Sequence, residues 1–398
     1  MSRKCIVWGA GKYGKRFVNM LTEETGYKII FYCDANKDLV GKHVEQYEIV
    51  DVESAIEACR KDKEIWIVIA IFNYNSIEAV KKIINSTFPE STKIQIGHDI
   101  QDLFENRILN NYYRDMKFQW NIDLEGSFLK WLDSIMLEVE FWVKKVASIY
   151  GERHEYNTKC RNQNLFEYPN LTGQLRGNEI VLDIGCGLMS KYGSRLKDGN
   201  AIQLIPIDAL AHFYNQINSR IKDGLKENYI CRFGLFEFMA NLAEESYGDY
   251  IIIENALDHC IDPWRSLIQC LYILKKDGKM FLKHRRAEAV YEGWNGLHQW
   301  NIDCINRELI IWNRDNAVNV TKMLSKVAEI HIEWDESIPI REHQNITAEI
   351  IKSADFELSD FIDTKKDAII LTKCIGRLME RLAEESTSFY EMIRQTQF

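Results

Sequence analysis

Two glycine-rich turns carry the residue types from which chemistry could be built. The first, "IVWGAGKYGKRF" (6–17), sets Gly9, Gly11 and Gly14 at G-x-G-x-x-G spacing between an apolar run and a basic helix start. Backbone N–H groups at such a start suit a phosphate. Asp34 ends the next apolar run twenty residues after Gly14, the distance at which an acid accepts hydrogen bonds from a ribose diol. The second turn, "VLDIGCGLMSKYG" (181–193), delivers Asp183 at the end of a buried run, followed by Gly185 and Gly187. Without Cβ atoms the chain can turn tightly and lie against a ligand. A carboxylate inside the turn suits a cationic ligand better than a pyrophosphate. Asp208 ends the following run twenty-one residues after Gly187, again at ribose distance.

Further groups follow the second turn. "RFGLFEF" supplies Glu237 with aromatic neighbours where an adenine fits, and "IIIENALDHCIDP" ends a strand in a polar cluster containing Asn255 and His259. Open α/β sheets bind ligands at that carboxyl edge. A hydroxyl acceptor is a poor nucleophile and gains from a base near neutral pKa. His259 and His298, in "EGWNGLHQWN", are the catalytic candidates, with Glu288 the carboxylate alternative and His284 in a supporting place. Trp294 and Trp300 suit either stacking on a sugar face or core packing. Arg153, Arg161, Arg285 and Arg286 suit either a bidentate grip on a phosphorylated acceptor or a solvated surface. The spacing of His259, Cys260, His284, His298 and Cys304 matches no structural zinc site, so no metal is expected.

The elements that must position these groups are α/β. Residues 1–97 alternate strand and helix ("KCIVWG", "KIIFYCD", "IWIVIAIF", "TKIQIG"), which predicts a small, mainly parallel Rossmann-like sheet of four or five strands. Residues 98–178 read as a helical linker and acceptor-side cap. Its apolar stripe from Phe128 to Val146 has helical spacing and reads as core rather than a binding groove. Residues 179–375 predict a second domain of seven strands: "EIVLDIGCG", "AIQLIPID", "YICRFG", "DYIIIENA", "KMFLKHR", "AEIHIEW" and "AIILTKC" (368–374), the last two pairing antiparallel. Residues 376–398 read as a C-terminal helix.

A length of 398 residues favours such a two-domain chain, and a net charge of −9 disfavours a nucleic-acid partner. Ten cysteines without a CxxC pair suit reduced thiols, and the longest apolar stretch is only strand-length. A cytoplasmic protein without signal peptide or membrane span is expected, with a small sugar-like substrate as partner. Homo-oligomerisation is left open.

The combination of D-x-G-x-G, an acid ending the second strand, and "ENALDHCIDPWRSLIQCLYILKKDGKMFL" resembles the class I S-adenosylmethionine-dependent methyltransferases over about 179–375. Lys276 and Asp277 stand where that family usually has proline and glycine. The resemblance implies that Asp183, Gly185 and Gly187 cradle the methionine part of the cofactor. It further implies that Asp208 holds the ribose, that Glu237 lies near the adenine, and that Asn255 and Leu257 line the methyl-bearing face. "LEVEFWVKKVA", "PIDALAHFYN" and "NGLHQWNI" are similar to methyltransferases of surface-polysaccharide and secondary-metabolite clusters. Gly9, Gly11, Gly14 and Asp34 by themselves suit NAD, but "FYCDANKDLVGKHVEQYEIV" resembles the small N-terminal domain of sugar acyltransferases, which implies a nucleotide sugar there instead, with a structural remnant as the alternative. No Tyr-x-x-x-Lys constellation for hydride transfer follows within the first hundred residues. The expected function is therefore methyl transfer to a sugar or nucleotide-linked sugar. An NAD-dependent oxidoreductase and a non-catalytic cofactor-binding scaffold are the alternatives.

Overall fold

The computed structural model describes residues 2–15, 17–21, 26–71, 73–147, 163–169, 171–219, 230–335 and 344–395. Contacts within the chain divide it into two compact units, Met1–Asp115 and Met116–Phe398.

In the first unit, strands β1 (Arg3–Trp8), β2 (Tyr27–Cys33), β3 (His43–Val44), β4 (Tyr47–Val50), β5 (Trp66–Ile69) and β6 (Lys93–Ile96) form one sheet in the order β3-β4-β2-β1-β5-β6. All pairings are parallel except β3 with β4, a short hairpin that takes the sheet one strand beyond the expected five. Helices Val52–Lys61 and Tyr74–Thr87 begin where Asp51 and Asn73 accept the Ser54 and Ser76 N–H groups, each satisfying an otherwise orphaned donor. The apolar residues of the central strands are buried on both faces, as crossover helices require.

The second unit is built on β7 (Ile180–Ile184), β8 (Gln203–Asp208), β9 (Arg232–Phe233), β10 (Gly248–Glu254) and β11 (Leu274–Arg285). A three-stranded antiparallel sheet of β12 (Asn301–Ile305), β13 (Glu308–Trp312) and β14 (Ala317–Asn319) follows. Strands β15 (Ala328–Trp334) and β16 (Asn345–Lys352) complete the main sheet, whose order is β15-β16-β11-β10-β7-β8-β9. Strands β7 to β11 are mutually parallel, and β16 runs antiparallel to both neighbours.

The expected count of seven strands holds, but one strand is a different segment. Ala368–Cys374 lies inside the helix Thr364–Gln395, and the antiparallel strand is "NITAEIIK" at Asn345–Lys352. Ile370, Cys374 and Leu378 are buried at four-residue spacing while Ile369, Ile375 and Met379 are exposed, the signature of one helix face. Burial along β16 alternates instead with period two, the signature of a pleated strand. The stripe from Phe128 to Val143 lies on the helix Leu124–Ala147 and packs into a core with Phe213, Tyr214 and Phe389. Among the described residues, no helix is long and apolar enough to cross a membrane.

Candidate functional site

The carboxyl ends of β7, β8 and β10 open onto a cleft of about 970 Å³ in the second unit. At its base the chain leaves β7 through Gly185, whose φ is +73°. A Cβ there would stand 2.2 Å from Ala256 Cβ and 2.8 Å from Phe236 Cζ, so only glycine passes. Gly185 N–H donates to Ile207 O at 2.8 Å, which ties the turn to the neighbouring strand. Asp208 closes the turn: its carboxylate accepts from Gly187 N–H at 3.0 Å and from Leu210 N–H at 2.8 Å.

The acids here are buried and titrate high. Burial pushes Asp183 up to about 7, against a hydrogen bond from Ser190 that acts to lower it, with Glu254 adding repulsion. Burial likewise takes Asp208 up to about 7, with Glu138 and Asp183 contributing. Beside them Lys191 is ion-paired with Glu254, and Tyr192 O–H donates to the same carboxylate at 2.9 Å. A bound cation would meet an acidic pocket only partly neutralised from within.

Asp183, Gly185, Gly187, Asp208, Glu237, Asn255, His259, Arg285, Glu288 and His298 all line this cleft. Asn255 sits at the strand end with φ +46°, a left-handed conformation that asparagine tolerates, and its Oδ1 accepts from Arg285 N–H. Glu237 is committed inward: Oε1 accepts from the N–H groups of Ile261 and Asp262 at 2.7 and 3.1 Å, fastening the loop after β10. Arg285 faces Glu288 and Glu292 at 3.8 and 3.7 Å and lies over the Tyr291 ring.

Three expectations need correction. Leu257 is fully buried in the core with Leu267 and Ile268 rather than lining the cleft, because the short turn Leu257–His259 points it inward. Trp300, only 3% exposed, stacks on Trp120 at 5.0 Å and packs the core, leaving no face for a sugar. Arg286 is an interior tie to Asp303, Gln344 and the Cys304 carbonyl, with no free edge for a phosphate. Arg153 and Arg161 lie outside the described residues.

At the far wall His259 and His298 meet. Their rings cross edge to face at 71°, with His259 Nε2 3.1 Å from His298 Nδ1, and both face Asp258. Asp258 Oδ2 lies 2.9 Å from His298 Nδ1 and 3.5 Å from His259 Nε2. Burial alone would raise Asp258, yet His259, His298 and His284 together draw its carboxyl well below the usual range. Burial acts to lower His298, but the hydrogen bond and charge of Asp258 prevail and raise it to about 9. At neutral pH His298 is therefore an imidazolium, not the near-neutral base expected. Glu288, pushed up by burial and by Asp258 to about 7, is better matched to accept a proton.

Asp258 did not stand out in the sequence, where it is one acid in "ENALDHC". Its adjacency to His259 was the available signal, and its pairing with His298 forty residues on exists only in the fold. The wall formed by Trp131, Glu138, Phe141 and Trp142 was also missed. The helix Leu124–Ala147 buries one stripe in the core and turns an adjoining one to the cleft, and core spacing hides the second.

In the first unit Gly9 N–H donates to Cys33 O at 2.9 Å, and Asp34 accepts from Ala10 N–H and Asn36 N–H at 2.8 and 2.9 Å. A Cβ on Gly14 would stand 1.7 Å from Gly9 O, so the third glycine is required by backbone contact within the turn.

Residues 1–94 match the C2185-like N-terminal family. No curated protein matches the sequence. Among solved structures the chain is similar to the 4+2 cyclase SpnF, at 14% identity, TM-score 0.36, over 55% of this chain and 94% of that one. It is also similar to a SAM-dependent methyltransferase from Methanosarcina mazei, at 15% identity, TM-score 0.31, over 48% of this chain and 100% of that one. A Rex-family repressor solved with beta-NADH is similar at 19% identity, TM-score 0.21, over 28% of this chain and 62% of that one.

Proposed function

We propose that the second unit is an S-adenosylmethionine-dependent methyltransferase acting on a hydroxyl-bearing small molecule, a sugar or nucleotide-linked sugar. The observation that carries the reading is one cleft joining two buried strand-end acids, Asp183 and Asp208, across a glycine turn, to the proton-handling groups Glu288, His259 and His298. Gly185 and Gly187 line the cleft without side chains, so a ligand can lie close to the chain there. Asp208, already bound to the turn by Gly187 N–H, suits a ribose diol at its remaining acceptor capacity. Asp183 and Glu254 supply negative charge for a cationic ligand. When bound, the cofactor supplies an electrophilic methyl group on a positively charged sulfur.

The chain's own part is to bind, orient and take one proton. Glu288 accepts the acceptor hydroxyl's proton, and the oxygen is thereby freed to attack. Asp258, buried beneath His298, holds that ring in place. Positioning does the rest, since displacement at carbon needs alignment above all. The first unit is proposed as a nucleotide or nucleotide-sugar module at Gly9, Gly11, Gly14 and Asp34, supported by the acid-closed turn beside them.

Titration calorimetry with S-adenosylmethionine, followed by isotope-labelled methyl transfer onto a panel of nucleotide sugars, tests the proposal. Saturable binding with labelled sugar product is expected. Absence of cofactor binding overturns the reading, and binding without transfer to any sugar removes the substrate class.

A further inference from the structure

The cluster at Asp258 offers more than a charged histidine. His259 Nε2, His298 Nδ1 and Asp258 Oδ2 lie 3.1, 2.9 and 3.5 Å from one another. Three donors of one metal ion, each about 2.0–2.2 Å from it, stand about 3 Å apart. Hydrogen bonding alone accounts poorly for the arrangement. His298 Nδ1 is within bonding distance of both other atoms and carries at most one proton. If that proton goes to Asp258 or to His259, then His259 Nε2 must be bare and turn its lone pair inward. Once His298 Nδ1 gives up that proton as a metal ion enters, three lone-pair donors converge on the place of a single cation.

A second observation points the same way. His284 is 1% exposed, and neither ring nitrogen has a hydrogen-bond partner among the described residues. Its Nδ1 stands 3.8 Å from Asp258 Oδ1, itself a buried oxygen without a partner. A carboxylate whose Oδ2 binds a metal commonly has its other oxygen supported by such a neighbour. His284 is placed for that after a small approach.

We infer that Asp258, His259 and His298 form a two-histidine, one-carboxylate site for a divalent first-row transition-metal ion. Imidazole nitrogens favour zinc, iron, cobalt or nickel over magnesium or calcium, and three ligands on one face leave the opposite positions open. His259 and His298 line the cleft while Asp258 is buried beneath them, so the open positions face the cleft. On the methyl-transfer reading, an acceptor hydroxyl bound there loses its proton to Glu288 more readily. That role rests on the proposed function, whereas metal binding does not.

The full chain, stripped with a chelator, is titrated separately with Zn²⁺, Co²⁺ and Mg²⁺. One Zn²⁺ or Co²⁺ per chain, visible d–d bands for bound Co²⁺ and no Mg²⁺ binding are expected. His259→Gln and His298→Gln should each weaken Zn²⁺ binding beyond the roughly 10–100-fold that loss of an outer neighbour costs. His284→Phe should fall within that range, and His331→Gln, an exposed histidine on β15, should change nothing. Far-ultraviolet circular dichroism of each variant confirms folding, and His259→Gln remains testable if His298 variants fail to fold. Wild-type-strength Zn²⁺ binding in a folded His259→Gln or His298→Gln chain overturns the site, as does no binding to the wild type. S-adenosylmethionine binding measured on the stripped chain separates the two readings: its loss counts against methyl transfer alone.

Discussion

The turn at Gly9 and the turn at Gly185 are closed by matching hydrogen bonds. In each, the first glycine N–H donates to the carbonyl one residue before the acid that ends the next strand. In each, that acid accepts from the turn with one oxygen and from the residue two places after itself with the other. Chemistry separates them. Asp183 lies two residues before Gly185, whereas the corresponding residue before Gly9 is Val7, fully buried among apolar neighbours. A helical turn, Lys12–Lys15, starts directly after Gly11 and takes in Gly14, whereas Lys191 and Tyr192 after the second turn fold back onto Glu254. One backbone device thus serves two kinds of ligand, and the side chain two residues upstream sets the sign of charge that each turn welcomes.

The comparison breaks most severely if Val7 is made into Asp183's counterpart. Val7→Asp buries a carboxylate with no partner and should destabilise the first unit by about 3–5 kcal/mol, read as early loss of amide protection in residues 2–115. Survival of the unit would show that charge at this position is freely exchangeable. Next, Gly185→Val should cut S-adenosylmethionine affinity by about 100-fold while leaving first-unit protection intact. Calorimetry and hydrogen exchange on the same sample check both halves.

Asp183→Asn keeps shape and removes charge. S-adenosylmethionine should bind about tenfold more weakly, with its neutral thioether product unaffected. Equal losses for both ligands would make Asp183 a packing residue.

The smallest effect is on pH dependence. Asp183 and Asp208 are raised in the folded state to about 7, from an ordinary 3.8, so the folded chain holds protons that the unfolded chain has released. The stability they contribute is fully present below about pH 4 and falls as pH rises through 7. Between about pH 6 and pH 8 each should cost about 1 kcal/mol, measured by denaturant titration of the ligand-free chain. Affinity for a cationic ligand should rise over the same interval, since binding favours the ionised acids. A flat profile in both would remove the charge argument for the second turn.

Both glycine turns, their closing acids and all ten strand candidates outside residues 368–374 follow from short-range patterns, because apolar period and turn chemistry act within a few residues. "AIILTKC" misleads for the same reason: a short β-branched run satisfies either period until the residues after it, Leu378 and Phe389, declare a helix face. "NITAEIIK" hides because its outward residues Asn345, Thr347 and Glu349 are polar, and because its pairing with β11 joins residues that lie far apart along the chain, such as Arg285 with Asn345.

What the sequence by itself determined is the pair of turns and the residue types at their strand ends, since a tight glycine bend and a terminal acid are local requirements. What only the tertiary structure decided is which side chains share a space. It drew Asp258, His259 and His298 to within 3.5 Å of one another and raised Glu288 and Asp183. It also sank Trp300 and Leu257 into the core. Burial and long-range proximity are properties of packing, and they set pKa and access without leaving a local mark on the chain.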